Sequence, residues 1–289
     1  MLLLQLLVSG IQTGAIYALT AAGFALIFGA TRIFHVAHGA CFAIAGYAFL
    51  GTVGAGFPWW AGVILALVLA VCFGLAMDAL VYRPIQRHEG SFFTVFVAAF
   101  GVTIVVQSLI ELAFGRSFAS APSPLSMARQ VVPGLYLADV FWVAIGCAVA
   151  LFAAVTLFLD RTRAGIGLRA LSENPELLRA YGLSSRRLSM LAFGVGSALV
   201  VPGAVLTAIT SGLTPAASAQ VMLVSLAASV VGGIGSLRGA AVGGLILGLV
   251  ENLVVAVLDT QWSGAAGFVV LFAFILFRPA GLFGRSVKA

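Results

Sequence analysis

Residues 10–29 read GIQTGAIYALTAAGFALIFG, without a single charged side chain. A helix that crosses a bilayer needs about 20 apolar residues, and runs of that length recur from one end of the chain to the other. Of the 289 residues, 62% are hydrophobic and 8% charged, and the mean hydropathy is +1.16, far outside the range of soluble domains. The preceding MLLLQLLVSG looks like the core of a signal peptide. It lacks a basic leader and runs without a break into the apolar stretch through Phe28, so it reads as a retained first helix.

Outward from this stretch, spans fall at 4–29, 36–54, 59–82, 92–114, 139–159, 188–211, 217–235, 239–258 and 261–277. The second and seventh are diluted by Gly, Ala and polar residues, which suits a broken or re-entrant segment sheltered by other helices. The expected fold is an all-α polytopic membrane protein with eight or nine transmembrane helices, one or two of them broken or re-entrant. It forms a single transmembrane domain over 1–289.

The arginines orient it. Arg83 and Arg87 follow the third span, six arginines (Arg161, Arg163, Arg169, Arg179, Arg186, Arg187) lie between the fifth and sixth, and Arg278, Arg285 and Lys288 close the chain. By the positive-inside rule these regions and the C-terminus are cytoplasmic. The N-terminus and the 115–138 segment, with its proline-rich SAPSPLSM, then face outward. The formal charge of +6 sits between spans and not along one soluble face, which excludes a nucleic-acid role. Cys41, Cys72 and Cys147 lie in apolar stretches and read as packing residues.

Glycine spacing carries more than glycine number. Gly235, Gly239 and Gly243 are four apart, as are Gly244 with Gly248 and Gly10 with Gly14, and such stripes let helix backbones approach closely. VGGIGSLRGAAVGG, residues 231–244, is rich in glycine but is no phosphate loop. The only lysine is Lys288 and no GK[ST] occurs, so ATP hydrolysis by the usual loop must come from another chain. His35, His38 and Cys41, spaced i, i+3, i+6, fan over a helix instead of converging, which argues for a polar lining or hydrogen bonding between helices over a metal site. Glu251 lies well inside the eighth span, beside Asn252, where an ionisable group is costly. It reads either as a path residue or as a carboxyl group bonded to a neighbouring helix. Asp78 and Glu111 lie near span ends, within reach of interfacial water. No nucleophile, base and metal cluster converge, so no catalytic residue is assigned.

RALSENPELLRAYGLSSRRL, residues 169–188, is the one markedly polar island. Asn174 followed by Pro175 makes an N-cap and first-turn pair, Glu176 complements the helix N-terminus, and Gly182 stands where a left-handed residue ends a helix. Ser184 can cap the helix after it. Leu177, Leu178 and Tyr181 give this short helix an apolar face, either as a docking element or as part of an ordered solvated loop.

The same island resembles the cytoplasmic EAA loop of ABC importer permeases, with Glu173 through Gly182 matching its acidic and glycine spacing. The wider chain is similar to the LivH-like permeases of high-affinity branched-chain amino-acid uptake. The stretches that carry this are GIQTGAIYALTAAGFALIFG, VAHGACFAIAGY at 36–47, VYRPIQR at 81–87, VVGGIGSLRGAAVGGLILGLVEN at 230–252 and RPAGLFGR at 278–285. Where that family usually reads N-F-A-H-G-E, this chain has His35-Val36-Ala37-His38-Gly39-Ala40.

The resemblance implies a bacterial inner-membrane importer: a second permease subunit, two ATP-binding subunits inside and a solute-binding protein outside. This chain would bind no cofactor, and ATP would be used by the partners. A coupling loop at about 160–187 would dock an ATPase through Glu173, Asn174, Glu176, Leu177, Leu178, Arg179, Tyr181 and Gly182. Tyr17, His35, His38, Gly39 and Glu251 would line the path. Urea or short amides are alternative solutes, and a proton-coupled secondary transporter using Glu251 is the alternative mechanism.

The arginine distribution makes a direct prediction. In a cysteine-free background, single cysteines at Ser185 and Ser123 should label from opposite sides of the membrane, with Ser185 cytoplasmic. Labelling of both by an impermeant external reagent refutes this topology.

Overall fold

The computed structural model describes residues 1–88, 90–121 and 123–284. Pro122, Arg285 and Lys288 of the sequence reading lie outside them. The helices are α1 (Leu2–Thr31), α2 (His38–Gly54), α3 (Trp59–Ala76), α4 (Arg83–Arg87), α5 (Phe92–Phe114), α6 (Val140–Arg161), α7 (Arg163–Glu173), α8 (Pro175–Ala180), α9 (Ser185–Thr210), α10 (Ala217–Gly232), α11 (Leu237–Val254) and α12 (Ser263–Phe277). A π-helical segment, Met77–Tyr82, joins α3 to α4. Among the described residues, seven helical stretches are long and apolar enough to cross a bilayer, and α2 and α10 are the two shorter apolar ones. These two are the diluted second and seventh spans, so the all-α polytopic reading holds.

α1 is the hub. Its middle and C-terminal half are almost entirely buried, against α9, α10 and α11. It meets α11 glycine to glycine: a Cβ at Gly14 would stand 2.8 Å from the Cα of Leu245, and one at Gly10 3.0 Å from the Cα of Leu249. Gly244 and Gly248 face α1 in return, against Ala18 and Gly14. Lipid offers no hydrophobic drive for helices to associate, so contact at this range, through dispersion, holds them together. On the other side of α1, Gly23 meets the backbone of Gly196 and Gly203 meets Thr20, which sets α9 antiparallel to α1.

The two short helices begin inside the bundle. The chain turns back after α1 through 32–37 and after α9 through 211–216, connections of equal length. His38 at the start of α2 reaches the carbonyl of Thr20 at 2.8 Å, and Thr20 lies about 17 Å along α1 from its Thr31 end at 1.5 Å per residue. After α9, Leu213 packs on Gly46, in the middle of α2. The N-terminal ends of α2 and α10 then meet, Gly39 against the Ser218 carbonyl. Irregular backbone at such depth is tolerated because protein encloses it.

At the end opposite the six arginines of 161–187, the expected loop, which carries Arg116 and Arg129, holds a small antiparallel hairpin, Ala128–Val132 with Leu135–Ala138. Gln5 of α1 holds it by two bonds of 2.9 Å to the backbone of Tyr136. The sequence reading foresaw only an outward loop here.

The α1–α11 contact predicts a steep response to side-chain volume. Gly14→Leu should destabilise the chain by about 1–3 kcal/mol through overpacking, read as a lower unfolding temperature in detergent. Gly101→Ala, where nothing lies within 4 Å of the added carbon, should leave that temperature unchanged. Equal behaviour of the two variants would remove α1–α11 from its central place.

Candidate functional site

Three polar clusters interrupt the apolar bundle. The first lies at the arginine-bearing end. Thr162 caps α7 by accepting from Gly165 at 3.0 Å, and Asn174 Oδ1 caps α8 by accepting from the backbone of Glu176 at 3.1 Å and Leu177 at 2.9 Å. Gly182 then adopts φ +76° and Ser184 caps α9 through Arg187, as the residue types led one to expect. The exposed part of α8 differs from expectation. Leu177 and Tyr181 are 53% and 78% exposed, but Leu178 is only 3% exposed. The three side chains share one arc of about 100°, and α8 sets the Leu178 edge of that arc on the bundle, so Leu178 faces inward and anchors α8 to its own chain. Arg179 bonds back to the Pro175 carbonyl at 3.2 Å.

Beneath α8, Asp78 corrects another expectation. It is buried, not at interfacial water, and it pairs with Arg83 and accepts from Ser189 Oγ at 2.7 Å. Arg83 also donates to the Arg186 carbonyl at 3.1 Å, so the end of α3 is tied to the start of α9. Asp78 and Arg83 are five apart, a spacing that no α-helical pattern puts on one face. The π segment between them, with its i→i+5 hydrogen bonding, does so.

The second cluster is the junction where α2 begins. His35 and His38 are fully buried; His35 Nδ1 lies 2.6 Å from the Tyr82 hydroxyl and His38 Nε2 2.8 Å from the Thr20 carbonyl. A carbonyl only accepts, so His38 carries its proton on Nε2. His35 Nε2 and His38 Nδ1 find no partner among the described residues. Cys41 directs its thiol to the Ala70 carbonyl, away from the two imidazoles.

The third cluster lies about one turn away. Tyr17 Oη donates to Glu251 Oε2 at 2.7 Å, and the other carboxylate oxygen lies against Gly267 of α12. Helical side chains tilt toward their own N-terminus; α1 and α11 are antiparallel, so the tilts bring these two tips together. Asn252 bonds to the Gly248 carbonyl at 2.9 Å. Tyr17 also walls a cavity of about 370 Å³, open toward the hairpin end, lined by Thr13, Thr20, Thr210, Thr214 and Gln220 and by no charged side chain.

The five residues expected to line a path therefore fall into two groups, Tyr17 with Glu251 and His35 with His38 and Gly39, and of them Tyr17 lines the cavity. Thr20, which the sequence reading missed, joins them: its side chain faces the cavity and its carbonyl holds His38. Its signal was its place one turn after Tyr17 in YALT.

Residues 6–277 match the family model described as branched-chain amino acid transport system / permease component. The chain is 29% identical to the high-affinity branched-chain amino acid transport system permease protein LivH of Escherichia coli, over 98% of this chain and 96% of that one. It is 27% identical to the permease protein BraD of Pseudomonas aeruginosa, over the same shares. Among solved structures it is similar to a chain of PsaBC from Streptococcus pneumoniae in complex with Fab, with a TM-score of 0.52 and 13% identity over 95% of this chain and 90% of that one.

The Asp78 network yields a stability prediction. Asp78→Asn leaves Arg83 without its countercharge in a largely buried place and should cost about 3 kcal/mol. The double variant Asp78→Asn/Arg83→Gln should lose less than the sum of the two single variants, measured by denaturant unfolding in micelles. Additive losses would show that the two side chains do not act as a pair.

Proposed function

This chain belongs to the family of permease components of branched-chain amino-acid transport systems, and from that we propose that it is the membrane subunit of an ATP-driven importer of branched-chain amino acids. A second permease, two ATP-binding subunits on the cytoplasmic side and an extracytoplasmic solute-binding protein would complete the machine. It would sit in a bacterial inner membrane with its C-terminus in the cytoplasm. The observation that carries the mechanism is α8: a capped helix beyond the spans with Leu177 and Tyr181 exposed. Glu173, Asn174, Glu176, Arg179 and Gly182 shape and border it, while Leu178 fixes it to the bundle.

Closure of the ATP-binding subunits would press on α8, and the Asp78–Arg83–Ser189 network would pass that displacement from α9 to α3. The two fold-back junctions are the bistable element such a switch requires. In the present conformation the uncharged cavity ends at Thr20, with the histidine junction sealed behind it. A cavity whose polar lining is hydroxyls and the amides of Gln12 and Gln220 suits a solute of zero net charge. The N-terminus of α10, whose Ala217 lines the cavity, offers partial positive charge to a carboxylate. Glu251 is then a positioning residue that holds Tyr17 at the cavity wall.

In proteoliposomes of the whole complex, uptake should stop without luminal ATP and persist when a protonophore collapses the proton gradient. Glu251→Gln keeps an acceptor for Tyr17 and should slow uptake by no more than roughly tenfold, about 1.4 kcal/mol. Gly182→Val, strained at its left-handed φ by about 1 kcal/mol or more, should reduce recovery of the ATP-binding subunits while the permease still inserts. Gradient-driven uptake by the isolated chain, abolished in Glu251→Gln, would replace this reading with that of a secondary transporter.

A further inference from the structure

At the arginine-bearing end, two cavities of about 410 and 510 Å³ join through Thr156, Asp160 and Arg238 to form one groove between α6 and α11. Its floor is α1, at Gly29 and Ala30, so the C-terminal end of the hub helix is open to the side here. The groove changes character along its length. Its deep wall is apolar, with Phe152, Ala153 and Leu157 of α6; its outer end holds Arg161, Arg169 and Arg238 against the single carboxylate of Asp160.

We infer that this groove is a binding site for an anionic phospholipid, with the acyl chain along α6 and the phosphate between Arg161 and Arg238. Asp160 is already engaged by Arg169, whereas Arg161 and Arg238 have no ion pair or hydrogen bond among the described residues. Two unpaired guanidinium groups beside the Thr156 hydroxyl match a phosphodiester, which guanidinium binds through paired N–H donors. Basic pockets between spanning helices at the cytoplasmic side take anionic headgroups for this reason.

Depth selects the occupant. From Arg161 back to Phe152 is about 14 Å of helix at 1.5 Å per residue, roughly half of a hydrocarbon core of about 30 Å. A soluble subunit docked on α8 cannot reach that far into the bilayer, whereas one leaflet's lipid spans just that depth with its charge at the arginine end. The polarity gradient, apolar inside and basic at the rim, is the mirror of a phospholipid. Arg169 and Ser172 of α7 line the same groove, so the bound lipid would touch the segment that leads into α8. The site stands whether or not the importer reading does.

The test uses the full-length chain, delipidated in micelles and titrated with phosphatidylglycerol or phosphatidylcholine, with bound lipid counted by native mass spectrometry. Wild type should retain phosphatidylglycerol at least tenfold more readily than phosphatidylcholine. Arg161→Gln/Arg238→Gln should bring the two lipids level, and Leu157→Trp, which fills the apolar wall and leaves the arginines in place, should reduce retention of phosphatidylglycerol as well. Equal retention of both lipids by wild type, or a preference that survives in the double variant, overturns the proposal. So does efficient crosslinking in native membranes from a cysteine at Leu157 to a second permease subunit, which would make the groove a protein interface.

Discussion

The close approach of α1 and α11 is the constraint from which the rest of the structure follows. Inside a bilayer, side chains gain nothing by leaving lipid for one another, so the bundle is held where backbones come within contact of each other. Gly10 and Gly14 on one helix and Gly244 and Gly248 on the other remove the side chains that would hold them apart. With α11 on one side and α9 on the other, α1 is walled in along its middle. Only then is there shelter for the irregular backbone of 32–37 and 211–216, whose polar groups could not face hydrocarbon.

That shelter is also what makes movement available. A continuous spanning helix resists bending, but α2 and α10 begin in mid-bundle, at junctions that rest on His38 against the Thr20 carbonyl, Gly39 against Ser218 and Leu213 against Gly46, while the helices that follow pack closely on α3, α9 and α11. Thr20 sits between cavity and junction, so a solute at the cavity floor and a displacement of α2 act on the same turn of α1. The rigid pairs and the junctions are built from the same helices, and in the proposed mechanism a small push at one end of the chain would reach the middle through them.

Much of this was legible in the residues. Glycines four apart announced close helix pairs, and the structure places Gly10, Gly14, Gly244 and Gly248 in one contact. Dilution by Ala, Gly and polar residues marked the second and seventh spans, which are the two short helices. Asn174, Gly182 and Ser184 gave the boundaries of α8 and α9 because caps are local and need no tertiary information. What escaped depends on geometry that sequence periodicity does not encode. Asp78 and Arg83 share a face only because a π segment intervenes. Leu178 turns inward because α8 lies on the bundle, which no count of apolar residues reveals. Thr20 matters through its backbone carbonyl, and a carbonyl leaves no mark on residue type.

Asp78 and Glu251 show how partner choice divides labour within the membrane. Asp78 has an arginine, a serine hydroxyl and, through Arg83, a backbone carbonyl of α9; losing either member of the ion pair leaves the other charge uncompensated in a dry place, and the two neutral contacts tie that pair to α9, so the network resists separation. Glu251 has a tyrosine hydroxyl and the open flank of Gly267, with no cation among its described partners. A single hydrogen bond without an ion pair is more easily exchanged for another. The first arrangement suits a joint that must transmit force between α3 and α9 without slipping. The second suits a side chain that holds Tyr17 at the cavity wall: in the proposed mechanism the ion-paired joint would lie where the push arrives and the more exchangeable bond beside the path.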